Sequence, residues 1–227
     1  MSAAVCTDYA NYSGLVKHHP FTLYFNSRLY CHHFYSHHHY CLVRKSRPEI
    51  DDHHRNTSRR LSLKIRLVEE KDYQRVLDIL NEAIAARKFT AQLSLATMEI
   101  RKPWFVHHSG KRHPMFVAEL DGKVVGWITL TEFRSGREGF RFTSEVSYYV
   151  DSSVQGKGVG SMLMERAIEA AREIGYRNLV AVIFDSNAAS QSLAKKFGFE
   201  RWGHIPDAVD IDGKKFGCDH WGLKLQK

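Results

Sequence analysis

A β-prone run, a glycine-rich turn and an amphipathic run follow one another between Glu145 and Ile174, and that succession restricts the fold more than any other stretch. Val146-Ser-Tyr-Tyr-Val150 is rich in β-branched and aromatic side chains, which favour a strand. Asp151 to Ser153 break it. Val159, Leu163, Ala167, Ala170 or Ala171, and Ile174 then recur at helical spacing, and Gly175 marks the end of that helix. Between strand and helix stand Gly156, Gly158 and Gly160. A helix start presents unpaired N–H groups and the positive end of the helix dipole. Glycines let a ligand lie directly against those amides. A polyphosphate fits such a mouth; the alternative is a plain strand-to-helix turn whose glycines serve close packing.

The spacing decides which polyphosphate motif is present. The pattern GxxxxGK[ST] is absent, because Lys157 precedes Gly158 rather than a Ser or Thr. GxGxxG fails too, since the third glycine comes one residue early. Gln155-x-x-Gly158-x-Gly160 does match, and it resembles the pyrophosphate-binding signature of the GNAT superfamily of acetyl-CoA-dependent N-acetyltransferases.

The rest of the domain supplies a consistent frame. Leu63-Lys-Ile-Arg-Leu-Val68 alternates apolar and basic residues, as a half-buried strand does. Asp72 is a good N-cap for a helix carrying Tyr73, Val76, Leu77, Leu80, Ala83 and Ile84. A second helix is expected over about Leu93 to Val106. Met115–Leu120 and Lys123–Thr131, joined by Asp121-Gly122, read as a hairpin. Asn178–Phe184 reads as a buried strand, Asp185-Ser-Asn187 as the opening of a helix ended by Gly198, and Phe199–Trp202 and Lys214–Leu225 as two last strands. The expected order is β-α-α-β-β-β-α-β-α-β-β, an α+β domain over residues 61–227 with a central mixed sheet flanked by helices and a parallel pair near its end.

Four landmarks strengthen the GNAT resemblance: the hairpin ending in Gly126-Trp127-Ile128, the glycine turn, Asn187-Ala-Ala-Ser190-x-x-Leu193 through Lys196-Phe-Gly-Phe199, and Ile65-Arg66 with Asp72. Arg141-x-Thr143-x-Glu145-x-Ser147-x-Tyr149-Val150 is similar to a pattern of the phosphinothricin and methionine-sulfone acetyltransferases, and Asn81 and Trp104 suit that group. The late Gly213-Lys-Lys-Phe-Gly217 matches its closing motif only loosely.

The resemblance implies the following roles. Backbone groups of Tyr148, Tyr149 and Val150 pair with the pantetheine arm of acetyl-CoA like an added strand. Gln155, Gly156, Lys157, Gly158, Val159, Gly160 and Ser161 hold the pyrophosphate, and Asn187 meets the pantetheine amides or else only caps its helix. An ammonium has no lone pair, so the acceptor amine needs a base. Glu145 is the candidate, the alternative being a surface carboxylate beside Arg141 or Arg137. Strand alternation puts Glu145, Ser147 and Tyr149 on one face. The backbone N–H of Val150 faces the oxyanion. The family places Tyr or His where this chain has Ala194, which leaves the acid for the departing thiolate open between Tyr149 and water. Phe140 and Arg141 are candidate substrate-binding residues, Arg141 through a substrate carboxylate or as an ordinary strand residue. The acceptor is expected to be a small amine. Acetylation of a protein N-terminus or Lys, and acyl-CoA sensing without catalysis, are the other readings.

Composition adds compartment and partners. The net charge of +8 divides evenly: residues 1–60 carry 8 Lys+Arg against 4 Asp+Glu, and residues 61–227 carry 25 against 21. A mildly basic domain suits an anionic cofactor without requiring nucleic acid. No run of 18 apolar residues occurs, so no membrane span is expected. Cys6, Cys31, Cys41 and Cys218 are too scattered for a disulfide framework, and a cytoplasmic protein is expected, with a homodimer by analogy to the group it resembles. Residues 1–60 hold nine of the fourteen His and are expected to be a disordered extension whose removal leaves folding and activity intact. Cys31-His-His-x3-His-His-His-x-Cys41 lacks a structural zinc spacing, so no metal is expected.

Overall fold

The computed structural model describes residues 62–108 and 110–225; the His-rich stretch 1–60, and what was expected of it, lies outside the described residues. The elements follow in the expected order: β1 (Leu63–Leu67), α1 (Tyr73–Ala85), α2 (Met98–His108), β2 (Met115–Leu120), β3 (Lys123–Glu132), β4 (Thr143–Val150), α3 (Val159–Ile174), β5 (Asn178–Phe184), α4 (Ala188–Lys196), β6 (Glu200–Ile211) and β7 (Lys214–Lys224). The seven strands form one mixed sheet in the order β1-β2-β3-β4-β5-β7-β6. Only β4 and β5 run parallel; the other neighbours are antiparallel.

Local chemistry sets the ends of these elements. Asp121 and Gly122 both have positive φ, 49° and 83°, so the β2–β3 turn twists with its strands. After α3, Gly175 at φ 91° lets Tyr176 N–H reach the Ala171 carbonyl at 2.9 Å. Gly198 does the same for α4, with Phe199 N–H on the Ala194 carbonyl at 3.0 Å. These left-handed ends satisfy carbonyls that a helix terminus otherwise leaves unpaired.

Each face of the sheet has its own core. On one, α3 buries Val159, Leu163, Met164, Ala167, Ile168 and Ala171 against Phe116, Ile128, Leu130, Val146 and Leu179. On the other, α1 buries Val76, Leu77, Ile79, Leu80 and Ile84 against Phe105 of α2 and Met115, Val117 and Trp127. Trp127 also donates its indole N–H to the Val76 carbonyl at 3.1 Å. Gly126 explains how closely α3 approaches. A Cβ there would lie 3.1 Å from the Tyr149 carbonyl oxygen, 3.2 Å from Leu163 and 3.3 Å from Val159.

Two boundaries differ from expectation. The second helix begins at Met98, not near Leu93. Asn81 holds the Ala96 backbone from both sides, donating to its carbonyl at 3.0 Å and accepting its N–H at 2.8 Å, which occupies the groups a helix there needs. Asp72 does not cap α1 with its side chain. Its carboxylate instead accepts the Glu69 N–H at 2.8 Å and two hydrogen bonds from Arg66, at 2.6 and 2.9 Å. It thereby fixes the 3-10 turn Glu70–Asp72 before the helix.

Candidate active site

The sheet is forked at its centre. β4 and β5 pair only at Thr143↔Asn178, Ser144↔Leu179 and Glu145↔Val180. Beyond Glu145, β4 continues to Val150 with β3 on one side and no strand on the other. β5 continues to Phe184 beside β7. Residues 146–150 of β4 therefore present an unpaired edge to the gap, and such an edge accepts an extended amide chain. A cleft of ≈ 860 Å³ fills the fork and runs from Val146, Ser147 and Ala181 to the start of α3.

At the far end the glycine turn is built to bind an anion. Gly156 and Gly158 have φ of 75° and 84°, a region closed to most side chains. Among the described residues, the N–H groups of Gly156, Gly158, Val159 and Gly160 make no backbone hydrogen bond, and all four residues line the cleft. Gln155 and Ser161 line it too. Two of the expected amides are already engaged: Lys157 N–H bonds the Val154 carbonyl at 3.3 Å and Ser161 N–H the Gly158 carbonyl at 3.0 Å. Lys157 is not part of the cleft wall, and its ammonium bonds the Ser153 carbonyl at 3.2 Å. Lys196 of α4 is part of that wall, with its ammonium 2.9 Å from the Ser161 hydroxyl.

The turn is braced from outside. The Asp151 carboxylate accepts the Ser153 N–H at 2.8 Å and the Ser153 hydroxyl at 2.7 Å. Its other oxygen is ion-paired with Arg75 of α1, which also donates to the Val124 carbonyl at 3.2 Å. Burial pushes the Asp151 carboxyl up, but the Ser153 hydrogen bonds and the Arg75 charge more than offset it and hold it below the usual range.

Asn187 is both a helix cap and a residue of the cleft wall. Its side-chain oxygen caps α4 by accepting the Ser190 N–H at 3.1 Å, and the residue also lines the cleft. Its amide NH2 bonds no other described residue, so the cap leaves two donors free.

The two faces of β4 carry different chemistry. Glu145, Ser147 and Tyr149 alternate onto the α1–α2 side, where Tyr149 packs with Trp127 at a ring separation of 4.9 Å. Burial raises the Glu145 carboxyl above its ordinary pKa, with the Arg134 charge opposing. Glu145 is at the last paired position of the fork and does not itself line the cleft. Burial likewise raises the Tyr149 phenol, against a hydrogen bond from Thr90 and the charge of Arg101. Arg101 lies over the Trp104 ring at 5.3 Å and bonds Gln92. No sequence pattern marks Thr90, in the loop before α2, or Arg101, on α2 itself; only the fold brings them to Tyr149. On the other face, Tyr148 and Val150 pack toward α3.

Phe140 and Arg141 lie elsewhere. Both are exposed and neither lines the cleft. Phe140 meets the Phe133 ring edge-on at 5.6 Å, and the Arg141 guanidinium covers Phe142 at 4.6 Å. Ala194, at the position where the resembling family has Tyr or His, is buried in the α3 core.

Comparison with known proteins agrees with this geometry. The model of the acetyltransferase (GNAT) family matches residues 76–199. YwnH of Bacillus subtilis (strain 168), whose name assigns it provisionally to phosphinothricin acetyltransferases, is 40% identical over 162 residues, 71% of this chain and 98% of its own. The L-methionine sulfoximine/L-methionine sulfone acetyltransferase of Pseudomonas aeruginosa is 34% identical over 158 residues, 69% of this chain and 89% of its own. The protein yncA of Salmonella typhimurium, provisionally named an acetyltransferase and solved with its cofactor acetyl-CoA, superposes with a TM-score of 0.69 at 30% identity, covering 73% of this chain and 95% of its own.

Proposed function

The chain belongs to the acetyltransferase (GNAT) family, and on that premise we propose that it transfers the acetyl group of acetyl-CoA to the amine of a small amino acid or amino-acid analogue. Relatives named for L-methionine sulfoximine, L-methionine sulfone and L-amino acid acylation support that acceptor class. The observation that carries the reading is the fork: its open edge ends at Glu145 on one side and at the free amides of the glycine turn on the other.

Acetyl-CoA lies in the fork with its pantetheine along residues 148–150 and its pyrophosphate on the amides of Gly156, Gly158, Val159 and Gly160, near Lys196. Donors fixed before the ligand arrives need no reorganisation, and the Arg75–Asp151 pair fixes them here. Asn187 adds its amide donors to the pantetheine arm. The thioester then rests at the apex beside Glu145.

The amine enters from the α1–α2 face. Glu145 takes its proton, directly or through one water, and the amine lone pair attacks the thioester carbon. A carboxylate raised by burial is a stronger base than a free one, which suits an ammonium donor. Val150 is five residues from Glu145, roughly 16 Å along β4, so its N–H serves the pantetheine arm, and the oxyanion of a thioester at the apex falls to an edge amide nearer Glu145. Arg101, stacked on Trp104 beside Tyr149, supplies a cation for the acceptor's own carboxylate; Phe140 and Arg141 stand at the outer surface and are second to it.

We also read the protein as cytoplasmic and homodimeric. The free, buried Cys218 suits a reducing compartment. No helix among the described residues is long and apolar enough to cross a membrane. Trp202 and Ile205 expose apolar surface on β6 that a second copy would cover.

The test is CoA release from acetyl-CoA with a panel of amino acids, methionine sulfone, methionine sulfoximine, phosphinothricin and short peptides. Turnover with the free amino acids or their analogues is expected. Turnover with peptides alone rules out the proposed acceptor class.

A further inference from the structure

Resting on the acetyl-transfer reading above, we propose that the phenol of Tyr148 donates the hydrogen bond, and then the proton, to the sulfur of coenzyme A as it leaves. Tyr148 lines the cleft, and its hydroxyl is buried without a hydrogen-bond partner among the described residues. Ser190 of α4 is the nearest group that could hydrogen-bond it and pulls against the burial that raises the phenol, but the two do not reach hydrogen-bond distance and angle. An orphaned buried donor is rare in a folded protein, and Tyr148 belongs to the cleft wall, so the ligand is the group left to meet that hydroxyl once the wall adjusts to it.

The position on β4 fits the departing atom. Tyr148 points to the α3 side of the sheet, while Glu145 points to the α1–α2 side. Three residues of strand separate them, roughly 10 Å along β4. In the tetrahedral intermediate the incoming nitrogen and the departing sulfur are separate substituents of one carbon. A base that reaches the nitrogen through one water on one face and a donor that reaches the sulfur from the other bridge that separation without competing. No other group on this side offers the same chemistry. α4 carries no phenol or imidazole, and its cleft-lining Lys196 is engaged by Ser161.

The balance is simple. The C–N bond forms from the neutral amine, the proton still carried by the attached nitrogen passes to Glu145, which has returned the first one to solvent, and the C–S bond breaks with its electron pair leaving on sulfur. The Tyr148 proton moves to that sulfur, and the phenolate left behind is reprotonated from solvent. Burial holds the phenol in its protonated form at neutral pH, so the donor is present in every turnover.

Tyr148→Phe tests this with two readouts. Kinetics are expected to show kcat lowered by about 10- to 100-fold with the KM for acetyl-CoA changed less than about twofold. The second readout needs no acceptor: the thiol of bound CoA, titrated by the ultraviolet absorbance of its thiolate, ionises at higher pH in the variant than in the wild type. A 3-fluorotyrosine at 148 keeps the ring while acidifying the phenol, and should shift that titration the other way. Unchanged kcat together with an unchanged thiol titration in a folded, CoA-binding variant overturns the assignment. Failure of the wild type to bind CoA at all would instead overturn the acetyl-transfer reading.

Discussion

Arg75 links a helix on one side of the sheet to the glycine turn proposed to hold the pyrophosphate, and removing it measures how much that brace contributes. Arg75 pairs with Asp151 and donates to the Val124 carbonyl at 3.2 Å and to Glu82 at 3.3 Å. A hydrogen bond to a charged group contributes about 1.5–3 kcal/mol when shielded. The Arg75 side chain is 35% exposed, so screening reduces the Asp151 pair to about 1 kcal/mol, and the Glu82 contact at the surface adds little. Arg75→Ala should therefore cost about 1–2 kcal/mol in urea unfolding, or roughly 3–6 °C in Tm for a domain of this size. A double-mutant cycle with Asp151→Asn should return a coupling of about 1 kcal/mol, smaller in high salt. The loop that Asp151 opens ends at the amides of Gly158 to Gly160, so acetyl-CoA should bind about 3- to 10-fold more weakly, a loss of about 0.7–1.4 kcal/mol by calorimetry. A coupling below about 0.3 kcal/mol with unaltered acetyl-CoA affinity would refute the idea that this pair holds the turn.

Glu145→Gln should lower kcat at pH 7 by about 10²–10⁴-fold, leave acetyl-CoA affinity nearly unchanged and remove the acidic limb of the pH–rate profile. A carboxyl raised by burial costs stability once pH exceeds its folded pKa, so the same variant should unfold at higher denaturant than wild type at pH 7; an unaltered pH profile removes Glu145 from the reaction. Burial lowers the His108 imidazole to about 4, against a hydrogen bond with the Trp104 carbonyl. The unfolded chain then binds more protons between pH 6.5 and about 4, so stability is complete above pH 6.5 and falls by up to roughly 3 kcal/mol on acidification through that window. His108→Phe should flatten that dependence in acid-denaturation curves. Gly126→Ala places a methyl 3.1 Å from the Tyr149 carbonyl oxygen and should cost about 1–3 kcal/mol while weakening acetyl-CoA binding, because α3 must move off the sheet. Deleting residues 1–60 should leave melting temperature and turnover as they are; an insoluble or inactive product would show that the extension belongs to the fold.

Much of this protein was written locally. Asp121-Gly122 required positive φ at two successive residues, and the chain turns there. Gly175 and Gly198 ended their helices because only glycine takes the left-handed end cheaply. Gly156, Gly158 and Gly160 announced a phosphate site because missing side chains are visible in a sequence. Each of these signals acts within a few residues.

Contacts between distant residues were a different matter. The start of α2 was misplaced because Asn81, fifteen residues upstream, holds Ala96 in a non-helical conformation. Nothing in the neighbourhood of Arg75 marks it out, and its partner Asp151 lies 76 residues away. Lys157 looked like a phosphate ligand by position, yet its N–H closes a turn and its ammonium leaves the cleft wall. Spacing could put Glu145 and Tyr149 on one face of a strand, but not state where that strand loses its neighbour.

Residue order thus determined the periodicity, the turns, the anion-binding motif and the sequence of elements, since these depend on backbone preferences over one or two turns of chain. Where β4 and β5 part, and so which side chains meet the thioester, was decided only by tertiary structure. Strand pairing and helix docking are set jointly by both cores, and a gap between two strands belongs to neither strand alone.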